Sequence, residues 1–190
     1  MDSKNITDTS DTPEYILKEE IELKELIVNN TNKEFTVLDL TNKLRGSRII
    51  EYLNKCHSLE NLTDLNLTNN QLGNQGMYYF KNCFFLKYLG RLNLSDNNIM
   101  SEGLGYLSKC DYLKDLKFFD FANNPIEKNF ESLGNLSNCS FFSSLQGLNL
   151  SGNKIGDDGL IYLFTKQSTQ NLIKVIEHLD IFTKSKFCIK

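Results

Sequence analysis

Four stretches of this chain obey one pattern, L-x-x-[LF]-x-[LF]-x-x-N-x-[LI]: LTDLNLTNNQL from Leu62, LGRLNLSDNNI from Leu89, LKFFDFANNPI from Leu116 and LQGLNLSGNKI from Leu145. Their starts are 27, 27 and 29 residues apart. A period of that length restricts the chain to stacked units, each covering the apolar face of the next. Two weaker copies flank the four. FTVLDLTNKL from Phe35 keeps the apolar pattern without the asparagine in register, and IEHLDIFTKSK from Ile176 keeps the strand and loses the turn. Terminal repeats decay in this way where a stack must stop.

The letters of one unit predict its shape. Leu92 and Leu94 are two apart and share one side of an extended segment, with Arg91, Asn93 and Ser95 on the other. So short a strand buries its apolar side only against parallel neighbours in a sheet. Asn70, Asn97, Asn124 and Asn153 fall where the chain leaves the strand. A column of amides there can satisfy the backbone groups that the bend leaves open. The second half of each unit has helical spacing, as in YYFKNCFFL, GYLSKCDYL and IYLFTKQ, preceded by Gly76, Gly103 and Gly159, with Phe130 in the glycine's place in the third repeat. Strand plus helix in 27–29 residues favours right-handed crossovers between parallel strands.

Cys56, Cys83, Cys110 and Cys139 repeat with the same 27, 27 and 29 spacing. One small apolar residue per unit at one place is what helix packing produces, and buried free cysteine is common. A zinc site needs four ligands converging from loops, so no metal and no cofactor is expected.

The unit LNLSGNKIGDDGLIYL resembles the ribonuclease-inhibitor-like subfamily of leucine-rich repeats, and the likeness runs from about Phe35 to Ile181. It implies an α/β leucine-rich-repeat solenoid of five to six repeats, with a short curved parallel sheet inside and helices on the convex face. It also implies a partner protein held on the concave face and no intrinsic catalysis. The expected organisation is a disordered tail over 1–11, an acidic capping helix over 12–34 and the repeat domain over 35–190. In the capping segment Asp11, Pro13 and Glu14 read as a helix start. Ile16, Leu17, Ile21 and Leu26 are expected to face the first repeat.

A net charge of −3 on 190 residues gives no reason to expect nucleic acid or an anionic membrane as partner. No stretch has the ~18–20 apolar residues of a membrane span. The polar amino terminus lacks the apolar core of a secretory signal, so the sequons at Asn66 and Asn93 read as by-products of the repeat. With five cysteines and no C-x-x-C pair, a reducing, cytoplasmic setting is expected.

Alternate strand residues should line the inner face in columns. The central column is Asp39, Asn66, Asn93, Asp120, Asn149 and Asp180, and one side column is Val37, Asp64, Arg91, Phe118, Gly147 and His178. The other side column is Thr41, Thr68, Ser95, Ala122, Ser151 and Phe182. An Asp/Asn column is a habit of such repeats, whereas Arg91 and Phe118 break the pattern and have the composition of binding hot spots. Two placements fit Phe118: exposed beside Arg91, or tucked under a flanking loop. The acidic residues suit a basic partner.

Other readings stay open at this point. Only His57 and His178 are available for histidine chemistry, they fall in different halves of the unit, and no phosphate-binding or nucleophile-elbow motif occurs. A GTPase-activating role is compatible with the repeat class, although Arg45, Arg48 and Arg91 stand in no activator motif. The carboxy-terminal FTKSKFCIK directly follows a strand, so that edge would pair with a second copy unless Lys184, Lys186 and Lys190 guard it.

Overall fold

A computed structural model describes residues 14–43, 46–126 and 130–165. Five three-residue strands, β1 (Val37–Asp39), β2 (Asp64–Asn66), β3 (Arg91–Asn93), β4 (Phe118–Asp120) and β5 (Gly147–Asn149), form one open parallel sheet in sequence order. The register aligns Val37, Asp64, Arg91, Phe118 and Gly147 in one row, and Asp39, Asn66, Asn93, Asp120 and Asn149 in another. Over these five strands the central column and the Val37-to-Gly147 column therefore fall where the period-two reading placed them. Between the rows Leu38, Leu65, Leu92, Phe119 and Leu148 point into the core, joined from the bend by Leu40, Leu67, Leu94, Phe121 and Leu150. Phe119 and Phe121 stand where other units carry leucine. Phe141 fills the altered space, with its ring edge-on to Phe119 at 5.2 Å.

Opposite the sheet lie α2 (Arg48–Leu53), α3 (Gly73–Phe80), α4 (Ser101–Leu107), α5 (Phe130–Ser137) and α6 (Gly156–Thr165). The first of the chain's helices, α1 (Glu14–Asn29), precedes the sheet. The glycine column lets α3, α4 and α6 close on the apolar residue four positions earlier: a Cβ on Gly103 would lie 2.5 Å from Ile99 Cγ2, and one on Gly159 2.5 Å from Ile155 Cγ2. Unlike the single helix expected per unit, each of α2 to α5 gives way to a separate 3-10 turn, at 57–59, 84–88, 111–113 and 142–144. The break sits at the cysteine column, where Cys83 (φ −80, ψ 53) and Cys110 (φ −90, ψ 66) leave helical geometry. A tighter turn steers the chain back to the sheet within the short repeat.

The amino-terminal cap differs from expectation in two respects. Leu26 packs inward as expected, but Ile21 is 58% exposed and Leu23 and buried Ile27 complete the inward stripe, while the side chains of Ile16 and Leu17 lie outside the described residues. That stripe follows the three-to-four spacing of a helix, and Ile21 falls off it. The helix also stops at Asn29, short of the expected 34. Asn30 Nδ2 donates to Leu26 O, and the chain then runs antiparallel along the open edge of β1. Asn32 N donates to Val37 O at 3.1 Å and Asp39 N to Asn30 O at 3.0 Å. The exposed strand edge is thereby occupied by the cap's own backbone. His178, Asp180, Phe182, the weak repeat from Ile176, the lysine-bearing terminus and the 1–11 tail lie outside the described residues.

Candidate functional site

The inner face of the sheet is a groove of about 560 Å³ running over all five strands, from Val37 and Asp39 to Gly147 and Asn149. Its floor is the pair of strand rows, so its chemistry is set one residue at a time by the repeat.

In the central row each side chain is first committed to its own unit. Asn93 Oδ1 accepts from Ser95 N at 2.9 Å and from Ser95 Oγ at 2.7 Å. Asn66 does the same for Thr68, Asp39 for Thr41 and Asn149 for Ser151. Within its own turn Asp120 accepts from Ala122 N alone, since alanine has no hydroxyl. The row is thus a ladder of local turns closing the end of each strand. It uses one oxygen per residue, and in the last rung Asn149 Nδ2 also donates to Asp120 Oδ2 at 3.0 Å. Ser95 and Ala122, expected on the inner surface, are each only 6% exposed because they sit inside these turns.

The side row makes a different structure. Arg91 Nε lies 3.3 Å from Asp64 Oδ1, and the guanidinium carbon stands 3.9 Å above the centre of the Phe118 ring. Phe118 in turn lies across the next strand, where a Cβ on Gly147 would come within 2.8 Å of its Cδ1. Glycine within a strand marks such a close approach. Of the two placements open to Phe118, the one beside Arg91 is found: the ring is half-buried across the sheet, between Arg91 and the bare backbone of Gly147. Asp64 is also held, accepting from Thr63 Oγ1 at 2.7 Å. The Arg91 side chain remains 60% exposed. An ion pair that open adds about 0–1 kcal/mol to stability, so the arrangement orients the arginine without the fold depending on it.

Behind the sheet the turn asparagines form a buried spine. Asn97 Nδ2 donates to Leu67 O, Leu94 O and Ser95 O, and its Oδ1 accepts from Asn70 N at 2.9 Å and, less closely, Leu72 N at 3.4 Å. Asn124 serves its neighbours in the same way, through Leu94 O, Phe121 O, Asn97 N and Ile99 N. Asn70 follows with Leu40 O and Leu67 O. At Asn153 the pattern is cut short. Its amide donates to Phe121 O and Leu150 O, but its buried Oδ1 has no partner among the described residues. The cause is Pro125. The equivalent residues Gln71 and Asn98 have φ of 55° and 54°, a region closed to proline. The turn is rebuilt, and Ile126 N donates to Asn124 O at 2.7 Å instead of reaching the next asparagine.

The residue before each turn asparagine, with Asn42 at the same place in the first unit, is also special. Asn42, Asn69, Asp96 and Asn123 have φ between 53° and 57°, and Gly152 has φ of 71°. Only Gly, Asn and Asp adopt that conformation readily. The column holds nothing else, a signal present in the sequence that the motif pattern, with its variable position there, passed over.

The cysteine column is structural in every respect described. Cys83, Cys110 and Cys139 are buried, and each thiol donates to the carbonyl four residues back, with Cys110 Sγ 3.6 Å from Tyr106 O. Burial raises all three pKa values, that of Cys110 to about 11, so the thiols stay protonated and unreactive near neutrality. Among the described residues no group of His, Cys, Asp and Glu is arranged to hold a metal ion, and no helix is long and apolar enough to cross a membrane. On the helix side Tyr78, Phe84 and Tyr88 are exposed, a second aromatic surface absent from the strand pattern.

Three segments, residues 58–81, 85–108 and 143–164, match the family model described as Leucine Rich repeat. No curated protein matches the chain.

Proposed function

We propose that this chain, three segments of which match the Leucine Rich repeat family model, is a non-catalytic binding module that holds a partner protein in the groove on its inner face, as repeats of this class generally serve protein interaction. The observation that carries this reading is the Asp64–Arg91–Phe118 stack over Gly147. It is an oriented, exposed cation on a half-buried ring, in the middle of a concave surface. Arg and aromatic residues in such central positions are the anchors that dominate binding energy. Asp39, Asn66, Asn93, Asp120 and Asn149 act beside it through the polar atoms their turns leave over. The strand–asparagine–glycine–helix unit favours the ribonuclease-inhibitor-like arrangement within the class. Free thiols at Cys56, Cys83, Cys110 and Cys139 favour a reducing, cytoplasmic setting.

The test is site-specific photo-crosslinking in matched lysate, with a photoreactive phenylalanine analogue replacing Gln146 or Val37 on the inner face, or Phe84 on the helix side. A partner that crosslinks from Gln146 or Val37, and is lost in an Arg91→Ala, Phe118→Ala double variant with unchanged melting, supports the reading. Crosslinking from Phe84 alone, with capture intact in the double variant, moves binding to the helix side and refutes it.

A further inference from the structure

The way Arg91 is held says what kind of group it is prepared to receive. A guanidinium offers five N–H donors in a rigid planar fork. Here the Nε edge faces Asp64 and one face is covered by Phe118. Among the described residues no hydrogen bond engages the two terminal nitrogens and no second carboxylate pairs with the guanidinium, and the side chain stays largely open to solvent. Of the described residues lining the groove, Arg91 is the only cation, while Asp39, Asp64 and Asp120 are its acidic neighbours. We propose that Arg91 is a carboxylate-receiving subsite: it binds one acidic side chain of the partner segment, end-on, through its two Nη nitrogens.

The inference rests on the inner-face reading above and specifies the chemistry of the partner. A guanidinium can hold one carboxylate along its Nε edge and a second across its end, because the two directions use different N–H groups. Phe118 fixes the plane of the fork, and Gly147 is what allows Phe118 to lie flat enough to do so. The surrounding aspartates set the selectivity. A polyanionic segment meets three carboxylates for one cation, whereas a single acidic residue among neutral or basic ones meets complementary charge throughout. The occupant is therefore a polypeptide segment with one acidic residue flanked by neutral or basic ones.

The probes are three peptides, acetyl-Ser-Ala-Glu-Ala-Ser-amide and its counterparts with Gln or Lys at the centre. They are titrated into the full ¹⁵N-labelled chain while the arginine Nε–Hε resonances are followed by NMR. The chain has three arginines, so Arg45 and Arg48 report non-specific ionic effects in the same spectrum. The expected result is a saturable shift of the Arg91 signal by the Glu peptide. The Gln peptide should bind about threefold more weakly, the middle of the range for an ion pair open to solvent. Phe118→Ala should weaken the Glu peptide while leaving the Arg91 ion pair to Asp64 in place. Equal binding of the Glu and Gln peptides, or an Arg91 shift no larger than those of Arg45 and Arg48, overturns the proposal. A partner crosslinked from Gln146 whose capture is indifferent to Arg91→Gln overturns the carboxylate subsite and leaves the inner-face reading standing.

Discussion

Two asparagines of the same column should differ sharply in what they contribute to stability. Replacing Asn97 with alanine removes three donated and two accepted hydrogen bonds. The three carbonyls keep other donors: Leu67 O from Asn70 Nδ2, Leu94 O from Asn124 Nδ2 and Ser95 O from Asn69 N. Losing a second bond at each costs about 0.5 kcal/mol, the low end for a net hydrogen bond. The Asn70 and Leu72 amides lose the Asn97 oxygen, and a buried stranded donor costs about 1–3 kcal/mol. The sum for Asn97→Ala is about 3.5–7.5 kcal/mol, or on the order of 10–20 °C in Tm for a chain of this size. Asn153→Ala strands no amide, because its Oδ1 accepts nothing, and it removes that unpaired buried atom. Its cost should be about 1 kcal/mol or less. Urea unfolding followed by circular dichroism measures both, and amide exchange at Asn70 reports the stranded donor directly. If Asn153→Ala costs as much as Asn97→Ala, the accepting half of the ladder is not what stabilises the repeats, and the reasoning fails.

Four further outcomes are expected. Pro125→Asn should restore the left-handed turn and free Ile126 N for Asn153 Oδ1, so that Asn153→Ala becomes more costly in that background by about 1 kcal/mol in a double-mutant cycle; an unchanged cost would mean that proline is not the cause. Asp96, at φ 57°, should tolerate glycine, whereas Asp96→Ala should cost about 1–2 kcal/mol in denaturant melts. The buried thiols keep protons that the unfolded chain releases, so stability should fall as pH rises above the ordinary thiol value of 9.0, with Cys110 contributing up to its own pKa of about 11. The slope is about 1.4 kcal/mol per pH unit per thiol, and Cys110→Ala should reduce it in unfolding curves taken between those values. Gly147→Ala should displace the Phe118 ring and weaken inner-face capture by more than it lowers Tm, as a binding assay run beside thermal melts would record.

Much of the fold was legible because its signals are local. Leu92 and Leu94 two apart, and Asn97 three beyond Leu94, specify a strand and a turn wherever they occur, and repetition at 27 residues puts the copies in register. The cysteine column was readable for the same reason. The misplacement of Ile21 has a simple source: α1 has several apolar positions, and only contact with the first repeat selects which stripe turns inward. The edge pairing of residues 30–32 with β1 carries no local signature, because it depends on where the helix delivers the chain.

For the candidate site the division is sharper. Composition alone singled out Arg91 and Phe118 as departures from the column. By itself, then, the sequence determined the repeat, its parallel register, the rows of the inner face and the identity of the residues that break them. Only the tertiary structure decided that Asn93 and its equivalents close their own turns, that Arg91 is braced between Asp64 and Phe118, and that Pro125 leaves Asn153 half-satisfied. The physical reason is distance along the chain. Periodicity is encoded between residues two to four apart, but each of these pairings joins neighbouring units about 27 residues apart or depends on side-chain directions within one turn, and those are set only once the units stack.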